Sequence, residues 1–539
     1  MKFPVLSCTP KQVEIYDSTL RDGSQGEAIS FSLEDKLLIA GKLDEAGFHY
    51  IEGGWPNPTN PKDLEFFKRI KSSGIKRSIV TAFGSTRRAS NPPEKDSILL
   101  TLLNADTEVI TIFGKSWDLH VREVLRISLD ENLKLIEDSV AFLVSEGRKV
   151  FFDAEHFFDG YKADRDYALK TLTAAESGGA GIVVLCDTNG GMTPFEIEMI
   201  CHDVRNTIDG IFGIHCHNDA GLSSANTLTG VIQGAVQVQG TINGIGERCG
   251  NDNLCTTIPN LSFKLGISCM KAEMIKGLMG LSRFVSEIAN EYHYHRQPYV
   301  GESAFAHKGG AHIDGVIKNA RTFEHIDPQI VGNQRRFLLS EQSGSATVLA
   351  KLKKIYPDLD KKGPRVKAVL TELKKKEHEG YQYEAAQGSF ELLAARVIDD
   401  YKSPFSIGGF RVITDKRKEG SMVSEATIKL MVDGAEEHTA SEGDGPVDAL
   451  NGALRKALNR FYPKISSVHL EDYKVRVLES DEGTEAKVRV LIESSDGVDV
   501  WGTVGVSENI IDASYIALVD SLTYKLVLDK RKVEHTANE

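Results

Sequence analysis

Cysteine is scarce in this 539-residue chain: seven, at positions 8, 186, 201, 216, 249, 255 and 269, with no Cys-x-x-Cys pair and none in the second half. That usage excludes a disulfide framework and a cysteine zinc knuckle, and Cys186 and Cys216, set in apolar runs, read as small buried hydrophobes. Long apolar runs are also missing. No stretch approaches the roughly 20 apolar residues of a spanning helix, and the opening MKFPVLSCTPKQVEIYDSTL lacks the apolar centre of a secretion signal, so a cytoplasmic location is expected. Positive charge is in deficit, with 64 Lys and Arg against 77 Asp and Glu and a formal charge of −13. No global basic field is therefore available for nucleic acid or an anionic membrane, and any anionic ligand must be met by a local site. Nine lysines within residues 351–380 are interleaved with acidic residues and read as a solvated helical surface.

What is present is the balance of a globular protein, 41% hydrophobic and 26% charged, with length for three or four domains at about 150 residues each. Short β-rich runs recur about every 30 to 40 residues: VEIYDSTL, HYIEGG, KRSIVTAFG, EVITIFGKS, RKVFFDAEHF, GIVVLCDTNG, IFGIHCHND and QGTINGIGER. Between them lie helical patterns that open on Ser or Asp and close on Gly, such as SLEDKLLIAGKLDEAG. Eight such units within about 260 residues predict a (β/α)8 TIM barrel over 1–270, with an open doubly wound sheet as the alternative. The barrel is favoured because Asp22, Glu155, Asp187, Thr188, His215, His217 and Glu247 all fall at or just past strand ends. Residues 271–405 lose the alternation and read as helical linker subdomains. From 406 to 539 a weak repeat, starting at Ala426 and again at Ala486, predicts a duplicated α+β domain with Asp448 and Asp512 opening equivalent helices. Without titratable clusters, that domain reads as a ligand sensor or dimer module.

His215 and His217 stand two apart on one strand, so their side chains share a face and can grip one ion. Two neutral imidazoles need oxygen partners, and Asp22 at the first strand end supplies a candidate; such an N/O site suits Mg, Mn or Zn. Arg21, always cationic, can hold a carboxylate or a developing oxyanion. The run Gly244-Ile245-Gly246-Glu247-Arg248-Cys249-Gly250 has glycine spacing one residue too long for a dinucleotide fingerprint. No lysine is evident at a strand end for Schiff-base chemistry. These residues point to metal-assisted carbonyl chemistry on a chelating substrate such as a 2-oxo acid.

The segments DSTLRDGSQ at 17–25, GIHCHNDAGL at 213–222, NGIGERCGN at 243–251 and HKGGAHIDG at 307–315 together resemble the 2-isopropylmalate, homocitrate and citramalate synthase family. The resemblance spans nearly the whole chain. It implies an acyltransferase that condenses acetyl-CoA, as co-substrate, with a 2-oxo acid. It implies that Asp22, His215 and His217 bind a divalent metal, with Asn251 as a further ligand or close neighbour. Arg21 would polarise the 2-oxo group, Thr188 would bind its carboxylate, Glu155 would order substrate or water, and His312 would help take a proton from the acetyl methyl group. EGGWPNPTNPKD, TAFGSTRR and FDAEHFFDGY resemble the citramalate branch, whose acceptor is pyruvate, with the 2-isopropylmalate branch as the alternative. A carbon-carbon lyase and an inactive amino-acid sensor are remoter readings. A homodimer and a regulatory C-terminal domain are implied, with isoleucine the logical effector for citramalate synthesis. One departure is Phe323 in TFEHIDP, where relatives more often carry tyrosine; His325 is the nearby candidate to serve in its place.

Overall fold

The computed structural model describes residues 6–339, 344–353, 355–416, 422–478 and 486–536. The chain packs as two compact units, one of residues up to 305 plus 326–335, the other of residues 306–325 plus 336 onward. No helix among the described residues is long and apolar enough to cross a membrane.

The first unit is a closed barrel of eight strands in sequential order: β1 (Glu14–Asp17), β2 (Tyr50–Gly54), β3 (Ile79–Ser85), β4 (Val109–Lys115), β5 (Lys149–Glu155), β6 (Ile182–Asp187), β7 (Phe212–Cys216) and β8 (Gln237–Gly240). All pairings are parallel, and β1 closes the ring against β8 in the register Glu14 to Gln237. Every residue of β2, β6, β7 and β8 is buried, because a parallel strand has the barrel interior on one side and helices on the other. The covering helices start where the chain offers caps. Ser32 and Thr193 make reciprocal capping boxes with Asp35 and Glu196, while Asp96, Ser128 and Asp164 accept first-turn N–H groups.

The eighth strand lies earlier than the sequence pattern predicts. It ends at Gly240, and INGIGER forms a turn in which Asn243 (φ 63°), Gly244 (φ 70°), Gly246 (φ 155°) and Arg248 (φ 56°) occupy the left-handed region. Such a run of positive φ breaks the ladder, so apolar Ile242 and Ile245 are buried by the turn and not by a strand. Residues 271–305 also pack on the barrel. Asn243 Nδ2 donates to the Ser282 carbonyl at 2.8 Å and to Ser286 Oγ at 2.9 Å, fixing the helix Leu278–Ile288 beside the turn after β8.

The second unit opens with a short parallel pair, β9 (Ala306–His307) and β10 (Arg336–Phe337), and the helix Gly310–Lys318. Its C-terminal part holds two three-stranded antiparallel sheets. The first is β11 (Phe405–Lys416), β12 (Met422–Val432) and β13 (Ala435–Gly443), followed by the helix Pro446–Asn459. The second is β14 (His469–Val477), β15 (Val488–Ser495) and β16 (Val500–Ser507), followed by the helix Ile510–Thr536. Each repeat gains one strand over the sequence pattern, and Asp448 and Asp512 both sit in the first turn of their helices. The two halves share one core, with Ile428, Leu430, Leu450 and Leu454 from the first meeting Val490, Ile492, Trp501 and Leu518 from the second.

Candidate active site

The chain leaves β1 in a locked turn. Asp17 accepts the Thr19 N–H and hydroxyl, each at 2.9 Å, and the Ser18 carbonyl accepts the N–H of Arg21 and Asp22. This sets two adjacent opposite charges over the barrel mouth. The Asp17 carboxyl is pushed up to about 7 by burial, which the Thr19 bonds only partly counter.

Asp22 meets both histidines of the β7 end. Its Oδ2 lies 3.4 Å from His215 Nε2 and 3.7 Å from His217 Nε2, and one ligand atom from each of the three falls within 4.8 Å of the others. All three residues are buried. Burial would raise the Asp22 carboxyl, but Arg21 and the two histidines outweigh it and hold it well below the usual carboxylate range. Burial, then the neighbouring His215, pushes His217 down to about 4, so its ring is neutral at pH 7 and its lone pair is free to ligate. Burial acts in the same sense on His215, but Asp22 overcomes it and raises that ring.

This group fits a small cation. An anionic oxygen and two imidazole nitrogens converge in a dry setting, the donor set for a divalent ion of intermediate hardness. Two further polar atoms, His217 Nδ1 and Asn251 Oδ1, are buried without a hydrogen-bond partner. Asn251 is brought beside His217 by an isolated backbone bridge, and Gly246 leaves room for its amide, since a methyl there would run into Asn251 Nδ2.

Arg21 is fixed from three sides. Its Nε donates to Glu52 Oε2 at 2.6 Å, its Nη1 lies 3.3 Å from Asp22, and its guanidinium carbon sits 3.7 Å over the Phe83 ring. Glu52, fully buried in β2, also accepts the hydroxyls of Ser18 and, at 2.7 Å, Tyr16. Tyr16 in turn meets the Thr81 and Thr111 hydroxyls, each at 2.9 Å, tying the arginine to the strands β3 and β4. A carboxylate in the middle of the apolar run YIEGG is the sequence signal that would have identified Glu52.

Arg21, Asp22, His215 and His217 share one cavity of about 180 Å³ with Asp153, Glu155, Thr188 and Glu247. Thr188 follows β6 and its hydroxyl oxygen accepts the His156 N–H at 2.9 Å, leaving the hydroxyl proton to be offered elsewhere. Glu155 ends β5 and pairs with Lys115. Lys115 itself ends β4, contrary to the expectation of no lysine at a strand end, and its ammonium is held as the partner of that carboxylate. Trp55, Phe83 and Phe113 also line the cavity: Phe83 and Phe113 stack at 5.5 Å, and Trp55 meets both edge-on at 5.9 and 5.6 Å. These aromatics were not singled out as lining residues, although Trp55 and Phe83 lie inside the segments that resemble the citramalate branch.

His312 is in the second unit, exposed on the helix Gly310–Lys318, and stacks on Phe323 with ring centroids 4.2 Å apart. Phe323 thus acts as a platform for the imidazole, a contact that needs no hydroxyl. His307 Nε2 lies 3.0 Å from Glu324 Oε1, a carboxylate oxygen that accepts its N–H.

Residues 12–295 match the HMGL-like family, residues 299–380 the homocitrate synthase post-HMGL domain-like family, and residues 384–526 the LeuA allosteric (dimerisation) domain. The chain is 54% identical to an (R)-citramalate synthase of Geobacter sulfurreducens, over 95% of this chain and 97% of that one. It is 53% identical to an (R)-citramalate synthase of Aquifex aeolicus, over 97% and 99%. A probable 2-isopropylmalate synthase of Methanopyrus kandleri is more distant, 32% identical over 95% and 97%. Identity above one half over 95% or more of this chain and of each of these two relatives places the chain in the (R)-citramalate synthase branch of the HMGL-like family.

Proposed function

We propose that the protein condenses acetyl-CoA with pyruvate and water to give (R)-citramalate, CoA and a proton. The observation that carries this reading is the buried Asp22, His215 and His217 group beside a clamped Arg21 in a small, aromatic-walled cavity. When bound by Asp22, His215 and His217, with Asn251 beside them, a divalent cation (Mg, Mn or Zn) supplies Lewis-acid polarisation of the 2-oxo carbonyl. Arg21 neutralises the charge that develops on the carbonyl oxygen; Glu52 holds it in place, so no reorganisation is needed as the reaction proceeds. The Thr188 hydroxyl binds the substrate carboxylate. Glu155, partnered by Lys115, orders substrate or water, and His312 helps take the acetyl methyl proton, which frees the carbon nucleophile. The Trp55, Phe83 and Phe113 wall faces the acceptor's side chain and suits a methyl group better than a branched one.

The second unit serves regulation: its repeated three-stranded sheets act as a dimerisation module responding to isoleucine, and the working form is a cytoplasmic homodimer. The test of the reaction uses purified protein, acetyl-CoA, Mg or Mn, and separately pyruvate, 2-oxoisovalerate or 2-oxoglutarate, following free CoA thiol and product mass. Thiol release greatest with pyruvate and a citramalate product is expected. Release chiefly with 2-oxoisovalerate would move the protein to the 2-isopropylmalate reaction, and release with none would overturn the proposal.

A further inference from the structure

His215 can ligate a cation through Nε2 only if its other nitrogen carries the proton, and that choice is made outside the Asp22, His215 and His217 group. His215 Nδ1 lies 2.9 Å from Gln239 Oε1, an atom that can only accept. The amide of Gln239 is itself held from turning over. Its Nε2 donates to Asp153 Oδ1 at 3.1 Å and reaches Gln237 Oε1 at 3.4 Å, so two acceptors fix the nitrogen end and aim the oxygen at the imidazole. All of this is dry: Gln237 and Gln239 on β8 are fully buried, and Asp153 on β5 and His215 on β7 are nearly so. Water does not compete for Nδ1, and an apolar side chain at 239 would leave that N–H unpaired.

We infer that Gln239, locked by Asp153, is a positioning residue that holds the proton of neutral His215 on Nδ1 and so leaves Nε2 as the ligating atom. The chain of groups runs across the barrel interior from β5 through β8 to β7, which explains why two glutamines are tolerated at the core of a strand. With Gln239 in place, the neutral imidazole keeps its proton on Nδ1 and leaves its Nε2 lone pair for the cation. Without it, the ring is free to carry its proton on Nε2, which blocks ligation, or to rotate.

The inference rests on Asp22, His215 and His217 holding a divalent ion, and the experiment separates the two. Mn²⁺ affinity of the full-length protein is measured by isothermal titration, with no substrate present, for the parent and for Asp22→Ala, Gln239→Leu and Gln239→Glu; circular dichroism and thermal melting report the fold. Loss of a group that orients a ligating histidine weakens metal binding about 10- to 100-fold in other sites. Gln239→Leu is expected to weaken Mn²⁺ by that factor, while Gln239→Glu, which keeps an acceptor for Nδ1 and shares a proton with Asp153, stays within about threefold of the parent. Gln239→Met replaces Gln239→Leu if the latter does not fold. Gln239→Leu or Gln239→Met binding Mn²⁺ as the parent does would overturn the inference while Asp22→Ala still abolishes binding; unchanged binding in Asp22→Ala would instead overturn the cation site itself. Equal loss in Gln239→Leu and Gln239→Glu would also overturn it, since then the acceptor oxygen is not what matters.

Discussion

Replacing Glu52 by Gln removes one charge and almost no volume, and the surroundings of that side chain make the consequence calculable. Glu52 accepts from three donors, Tyr16, Ser18 and Arg21. A glutamine can turn its carbonyl oxygen toward Ser18 and Arg21, and its amide toward Tyr16, whose hydroxyl then donates to Thr81 or Thr111, each 2.9 Å away. The hydrogen bonds survive, so the loss is electrostatic. The Arg21 guanidinium, whose side chain is 13% exposed, is left with Asp22 as its remaining anion at 3.3 Å. Breaking a buried ion pair from one side costs ~3 to 5 kcal/mol, and a side chain that lines an open cavity belongs at the lower end, about 3 kcal/mol. For a unit of this size each kcal/mol moves the melting temperature by about 2 °C, so a fall of about 6 °C is expected. Arg21 is drawn to Asp22 in the variant, which weakens both its hold on the developing oxyanion and the Asp22 charge offered to a cation, and kcat is expected to fall about 100-fold, the scale of losing one preorganised donor. Urea or thermal unfolding followed by circular dichroism gives the first number, and CoA thiol release the second. A melting temperature within about 1 °C of the parent with unchanged kcat would refute the reasoning, because it would mean that Glu52 is not what neutralises Arg21.

Three further outcomes are expected. Trp55→Ala opens the aromatic wall, and because a methylene in an apolar pocket is worth ~1 to 3 kcal/mol, the kcat/KM ratio of 2-oxoisovalerate to pyruvate should rise about tenfold or more; an unchanged ratio would place the acceptor side chain elsewhere. Asp44 accepts the N–H groups of Lys76, Arg77 and Ser78 before β3; burial would raise its carboxyl, but these bonds outweigh that and hold it below its ordinary value. Its folded value is depressed, so the stability it contributes is present above the unfolded value of about 3.9 and lost as pH falls through the lower folded value. The gap between parent and Asp44→Asn melting curves should therefore be constant from pH 8 to 5 and close below about pH 4; a gap that is the same at pH 3 and pH 7 contradicts this. Gly505 in β16 lies so close to the helix Ile510–Thr536 that a methyl would run into the Ala513 carbonyl, so Gly505→Ala should destabilise the second unit by ~1 to 3 kcal/mol while Mn²⁺ binding by the barrel is unaffected. Mn²⁺ titration together with two-step denaturation would separate those effects.

The sequence alone carried most of the architecture. Alternating apolar runs and capped helices repeat eightfold through Gly240, and local chemistry enforces them: Ser32 and Thr193 cap their helices, and β2, β6 and β7 are apolar enough to be buried on both faces. His215 and His217 were legible because period two puts them on one face of a strand. The C-terminal repeat was legible in the same way, down to the equivalent positions of Asp448 and Asp512.

What only the tertiary structure decided is everything that depends on neighbours distant in sequence. The end of β8 at Gly240 follows from positive φ at Asn243, Gly244, Gly246 and Arg248, which an apolar pattern cannot register. Glu52, Asp153 and Gln239 come from three different strands and reach Arg21 and His215, directly or through one another, only because the barrel closes; in sequence they are polar residues set in apolar runs. The same closure turns Trp55, Phe83 and Phe113, three aromatics in separate loops and strands, into one wall. Residue type and periodicity fix which side of a strand a group faces, but the distance between strands is set by the closed ring, and the charges and tautomers in this site are set by that distance.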